Sequence, residues 1–274
     1  MRAVSAAILL CLSISTAGAQ FIGYPTPGVP RNKDGSPNLA APAPRTPDRK
    51  PDLSGLWDNN PTPCTIAVDC PDKAAIPEFV NLGLSIPGGL PYQPWAAALL
   101  QQRLTRPNDD PITRCQPADV FRLLTFPPPR KIIQLPGLLI VLTERDVTYR
   151  QIFLDGRPLP KDPQPSFHGY SVGHWDGETL VVETNGLRDD MWIDKQGSPL
   201  SGQAKLTERY RRINYGTLEI ILTVNDPKTY TAPWTIKITQ KLMLNDELME
   251  YFCQENEKDL SHSVDKLDKD KLEK

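Results

Sequence analysis

The chain is short of the residues from which most catalytic signatures are built. It has three histidines (His168, His174 and His262) and five cysteines, with no CxxC pair among them. So few imidazoles and no close thiol pair leave little from which to build a zinc site, and neither HExxH nor CxxCH occurs. There is no glycine-rich phosphate loop, so nucleotide-linked redox chemistry is not expected. Serine–histidine hydrolysis from a strand–turn–helix elbow is not expected either, and no cofactor is. The formal net charge is only −2, which gives no reason to expect nucleic acid or an anionic membrane as partner. After the first 19 residues no apolar run is long enough to span a bilayer.

That first stretch, MRAVSAAILLCLSISTAGA, holds one arginine, a short apolar run and small residues ending at Ala19, the form of a secretory signal cleaved before Gln20. Cys11 follows Leu10 rather than a small residue, so lipid attachment there is not expected. The expectation is an exported protein, periplasmic or extracellular. In an oxidising compartment the four remaining cysteines favour disulfides. The preferred pairing joins Cys64 to Cys70 in a small loop and Cys115 to Cys253 as a long-range staple; the other two pairings stay open.

Prolines divide the rest of the chain. Of the 29 present, 21 fall between Gln20 and Arg130, and that half is therefore poor in regular structure. Residues 20–55 read either as an extended arm wrapped on the domain or as a disordered linker. Residues 56–130 read as an irregular and helical region, with one clear helix over Tyr92–Arg106, ended by Pro107, and a short helical turn near Pro117–Leu124. Residues 131–257 read as strands: KIIQL, LLIVLTE, VTYRQIFL, GYSVGHW, ETLVVETN, KLTERYRRI, TLEIILTV, WTIKITQKLML and ELMEYFC. Nine short strands joined mostly by tight turns predict a mainly β fold, an antiparallel meander. Closing it as a lipocalin-like barrel of about eight or nine strands removes the unpaired edges. Residues 258–274 read as a polar tail.

Candidate chemistry concentrates in FHGYSVGHWDGETLVVETNG, residues 167–186, which holds two of the three histidines around the hairpin signal Asp176-Gly177. A two-residue turn there sets Trp175 opposite Glu178 and Tyr170 opposite Glu183. His168, Tyr170, Val172 and His174 then share a face with Thr179, Val181 and Glu183. His168, Tyr170 and Glu183 are the candidate catalytic set: an imidazole for proton transfer, a carboxylate to orient it, a phenol to stabilise developing charge. The alternation leaves open which face looks inward.

Further candidates for ligand contact are Tyr149 and Arg150, although Arg150 is more simply a cross-strand partner of Glu144. TERYRR reads as a solvated strand face, with Arg209 the residue that could bring a charge inside. Trp192, with Met191 and Ile193, is an apolar cluster in the long loop 185–203, suggesting a lid or plug at the barrel mouth. Glu257 and His262 would be held near the barrel by a staple at Cys253.

The phrases PDLSGLW, YRQIFLDGRPLPKDP, GYSVGHWDGETLVVET and YFCQENEKD, spread from Pro51 to Asp259, resemble those of a broad family of exported bacterial proteins of uncharacterised function. The resemblance implies export and a shared fold, and carries no catalytic residue with it. The function expected first is an exported pocket protein that binds a small, partly apolar molecule. The alternatives are a cofactor-independent lyase, isomerase or hydrolase using His/Glu acid–base chemistry, and a surface or assembly protein.

Overall fold

Strand after strand in the second half alternates between buried and open side chains. In KLTERYRRI, for example, Leu206, Glu208, Tyr210 and Arg212 are all buried while Lys205, Arg209 and Arg211 are exposed. The computed structural model describes residues 24–59, 77–126 and 129–253. Nine strands close into a barrel in chain order: β1 (Gly55–Asn59), β2 (Arg130–Leu135), β3 (Leu138–Thr143), β4 (Tyr149–Phe153), β5 (Tyr170–Asp176), β6 (Thr179–Asn185), β7 (Lys205–Asn214), β8 (Thr217–Asn225) and β9 (Trp234–Leu242). Their inner faces meet in a packed core. Trp57, Ile132, Leu139, Ile152, Leu180, Tyr210, Ile220 and Ile236 are each at most 2% exposed, so the middle of the barrel is filled by side chains.

Two details differ from a plain meander. An odd number of strands cannot close with every neighbour antiparallel, and the exception is β4 with β5, where Ile152 lies beside Ser171 and Phe153 beside Val172 in parallel. The connection 154–169 therefore carries the chain back from one end of the barrel to the other. The closing strand also differs. ELMEYFC forms no strand, only a bridge between Tyr251 and Arg145, because β1 already occupies the free edge of β9 through the pairs Trp57–Leu242 and Asn59–Gln240.

The hairpin within residues 167–186 keeps its faces but not its register. Asp176 pairs with Thr179, so the turn residues are Gly177 and Glu178, with Gly177 at φ 58°, the left-handed conformation glycine tolerates. Tyr170 consequently pairs with Asn185, and Glu183 with Val172. The slip is two residues, an even number, so each side chain stays on the face the alternation gave it.

The barrel has unlike ends. At one, the turn end, lie the tight turns 136–137, 177–178 and 215–216. Apart from 154–169, the long connections leave from the other and plug it. There Asp119 caps helix α3 (Val120–Thr125) by accepting from the N–H groups of Phe121 at 2.8 Å and Arg122 at 3.0 Å. All six residues of α3 are buried, and Phe121 lies 6.2 Å from Trp234, ring centre to ring centre. Helix α2 (Pro94–Leu104), where the sequence places it, starts with proline at its first position and lies across the β8–β9 connection. The short helix α1 (Pro77–Val80) meets loop 185–203 at Lys195 and Gln196. Met191, Trp192 and Ile193 are buried in that loop, as a plug requires.

Residues 24–54 are a wrapped arm. Leu39 and Ala41 offer carbonyls to the N–H groups of Gly216 and Tyr215, and Thr26 exchanges two hydrogen bonds with Asn245. Arg45 grips Glu178 through two bonds of 3.0 and 2.8 Å. Near the domain, Arg212 donates to the carbonyls of Asp52 and Ser54 and lies over the Trp57 ring. Proline runs fit this role because they need few partners for their own backbone.

Candidate functional site

The turn end offers space. Gln134, Leu154 and Trp175 finish the inner layer there, and the arm turn Thr46–Asp48 passes above them. Between these lies a cavity of about 310 Å³, rimmed on its remaining side by Leu135, Pro136 and Gly137. That volume is at the lower limit for a small-molecule site. A Cβ at Gly173 would stand 2.8 Å from Leu154 Cδ2 and 3.2 Å from the Val181 carbonyl oxygen, so the glycine leaves room for the Leu154 side chain that lines the cavity. The roof is anchored. Gln134 accepts from Leu53 N–H at 2.9 Å and donates to the Pro51 carbonyl at 3.3 Å, while the Lys50 carbonyl closes the arm turn on Thr46 N–H.

Deeper in, toward the plug end, the barrel holds charge. Arg150 and Glu208 are 3% and 0% exposed and face each other across the interior as a two-pronged ion pair. Glu208 Oε1 accepts from Arg150 Nη1 at 2.9 Å and from the Tyr210 hydroxyl at 2.7 Å, and Oε2 accepts from Arg150 Nη2. The remaining guanidinium donors reach Ser171 Oγ (3.0 and 3.2 Å) and Thr184 Oγ1 (2.8 Å). Burial works against the charge on Arg150, but the Glu208 carboxylate more than offsets it and keeps the guanidinium protonated. Burial, then the neighbouring Glu208 charge, hold the Tyr210 phenol well above its ordinary value. Further round, Arg130 is 1% exposed and, among the described residues, bonds to the carbonyls of Leu124 and Phe126; burial pushes it down to about 10. Every nitrogen of Arg150 is engaged, so this cluster is a structural staple with no place left for a substrate.

The three candidate catalytic residues do not converge. Glu183 is exposed on the outer face, and Tyr170, half-buried on the same face, stacks 5.3 Å from Phe153 while its hydroxyl accepts from Arg157 at 3.1 Å. His168 precedes β5 at the plug end, its Nδ1 buried and without a hydrogen-bond partner among the described residues. Burial, then the nearby Arg150 charge, push its imidazole down to about 4. Among the ligand candidates, Tyr149 is 61% exposed on the outside, Arg209 pairs with Asp176 at 2.9 Å in solvent, and Trp192 is a buried plug residue under Arg103. Arg150 pairs with Glu208 rather than Glu144, because it points inward while Glu144 binds the Met249 N–H. Cys115 and Cys253 form the expected disulfide, Cα atoms 5.4 Å apart. Cys64, Cys70, Glu257 and His262 lie outside the described residues.

Sequence reasoning missed the mouth residues and one motif. Gly169-Tyr170-Ser171-Val172-Gly173 has the G-x-S-x-G spacing of a hydrolase elbow. Its context is wrong for one: Ser171 sits inside β5, 1% exposed, and is held by Arg150 and Thr184 rather than by a histidine. Trp175 was within reach of the pattern. Its parity is that of Ser171 and Gly173, opposite Leu180 and Val182, the more apolar side of β6. Compared with models of protein families, with curated proteins and with solved structures, the chain matches none.

His168 yields a prediction about pH. In the folded chain it stays neutral down to about 4, whereas the unfolded chain protonates near its ordinary 6.5. Below pH 6.5 protons therefore favour the unfolded state, and the loss grows until about pH 4, where it reaches about 3 kcal/mol. Asp119 acts oppositely, since burial raises it to about 6 and the folded state gains stability as pH falls below that value. The observable is therefore the difference between parent and His168→Gln in urea unfolding, expected to shift in the parent's disfavour by about 3 kcal/mol from pH 7 to pH 4. A difference independent of pH would place the imidazole in water.

Proposed function

We propose that this chain is an exported carrier or sensor barrel that binds one small, partly apolar molecule at its turn-end mouth. The observation that carries the reading is the cavity of about 310 Å³ between Trp175, Leu154 and the proline-stiffened arm turn, at the end of an otherwise filled barrel. Its walls are an indole, leucines and prolines with a few polar groups at the rim, the balance usual for small-molecule sites. Catalysis has less support, because the acid–base candidates lie on different sides of the wall and none of them lines the mouth. Export is supported by the Cys115–Cys253 disulfide and by the signal-like first 19 residues. No helix among the described residues is long and apolar enough to cross a membrane.

The test is native mass spectrometry of protein purified from the compartment in which it is made. A co-purifying small molecule is expected in the parent and in His168→Ala, and is expected to be lost when Leu154→Arg fills the floor of the mouth. A species lost from His168→Ala but kept by Leu154→Arg would overturn the reading, as would a species converted to product by the parent alone.

A further inference from the structure

The mouth also indicates the charge of its guest. Its polar side chains are largely committed to holding the arm. Both ends of the Gln134 amide bind arm backbone, and Thr46 Oγ1 lies within hydrogen-bond distance of Asp48 Oδ1 at 2.5 Å and of the Lys50 carbonyl at 3.0 Å. No lysine, arginine or histidine is among the lining residues; the Lys50 ammonium stands beside them, over the Trp175 ring. The one charged lining residue is Asp48, exposed at the rim, whose Oδ2 makes no hydrogen bond among the described residues.

A cation already stands at the aromatic wall. Lys50 Nζ lies 5.9 Å from the centre of the Trp175 ring. An indole face attracts cations through its quadrupole up to about 6 Å, so the lysine sits at the edge of that range and is easily displaced. Lys50 is tied through its backbone carbonyl, so its side chain can swing away without opening the arm turn.

Resting on the mouth-site reading above, we propose that the guest is an organic ammonium ion with apolar substituents, its charge between the Trp175 ring and the Asp48 carboxylate and its body against Leu154 and Leu135. In this arrangement Lys50 is an internal competitor that occupies the cation position when the mouth is empty.

Three near-isosteric probes test this on the full chain by calorimetry: choline, the neutral 3,3-dimethylbutan-1-ol and the anionic 3,3-dimethylbutanoate. Choline is expected to bind about tenfold more tightly than the neutral alcohol, with the anion weakest. Asp48→Asn, a change on an exposed turn, is expected to remove most of that preference, and Lys50→Met to strengthen choline binding more than binding of the alcohol. Equal binding of choline and the alcohol, or preference for the anion, would overturn the ammonium assignment and leave the mouth site standing. If none of the three binds to the parent while all three fail equally with Lys50→Met, the mouth site and the ammonium assignment both fall.

Discussion

Replacing Glu208 by leucine is expected to destabilise the chain by about 3–5 kcal/mol, one of the largest single-residue effects the fold should show. The carboxylate is 0% exposed and, among the described residues, is the only negative partner of the equally buried Arg150. Removing it leaves a guanidinium with two hydroxyl groups for company and the Tyr210 hydroxyl without its acceptor. The cost comes mainly from stranding a charge, not from losing a bond. That distinction can be tested. A variant carrying Arg150→Met, Glu208→Leu and Tyr210→Phe together removes every member that needs the others, and Ser171 and Thr184 still satisfy each other at 2.9 Å. Its stability is expected to lie within about 1 kcal/mol of the parent or above it. If the triple variant is as unstable as the single one, the cluster is holding the barrel's shape rather than neutralising a charge. If Glu208→Leu alone is harmless, water reaches the pair.

This cluster also shows where the sequence could be read and where it could not. TERYRR resembles a solvated face because acid and base alternate around Tyr210, yet its parity was informative. Glu208 shares a side with Leu206 and Tyr210, opposite the uniformly apolar Leu218, Ile220, Leu222 and Val224 of the next strand. An inward carboxylate on β7 needs buried donors, and the inward arginine on β4 supplies them. The pairing was hidden because the two strands are not neighbours, and a cross-strand rule looks only next door. The same limit explains the closing strand. Local pattern finds strands, and ELMEYFC is a fair one, but whether a free edge remains for it depends on Gly55–Asn59, five residues in a proline-rich region that carry little strand signal of their own. The barrel and its two principal helices follow from periodicity and proline content, whereas proline content left the arm open between wrapped and disordered and cysteine count left the disulfide pairing open. The mouth does not follow from any of these, because it is made where four segments distant in sequence meet.

Breaking the Cys115–Cys253 disulfide is the other change expected to have a large effect. The two cysteines are 138 residues apart, and closing a loop of that size in the unfolded chain is worth about 5 kcal/mol in the chain-entropy model. The two ends it joins are otherwise lightly held. Cys115 ends a single turn of 3₁₀ helix (Pro111–Arg114) in a left-handed conformation, φ 58°. Cys253 ends a segment that reaches the barrel mainly through the Tyr251 contacts with Glu144 and Asp146. The plug itself has independent anchors, since Arg122 binds the Asp110 carboxylate at 2.8 Å and the carbonyls of Trp192 and Asp194 at 2.8 and 2.6 Å. Cys115→Ser with Cys253→Ser is therefore expected to fold with the barrel and plug intact, to lose about 3–5 kcal/mol in urea unfolding, and to free residues 246–253 to rapid amide exchange. The loss should appear as a lower midpoint for the whole domain, because the staple acts on the unfolded chain rather than on a local contact. An unchanged midpoint in the double variant, with exchange at residues 246–253 still slow, would show that Tyr251 and its partners hold the segment by themselves and that the disulfide adds no constraint.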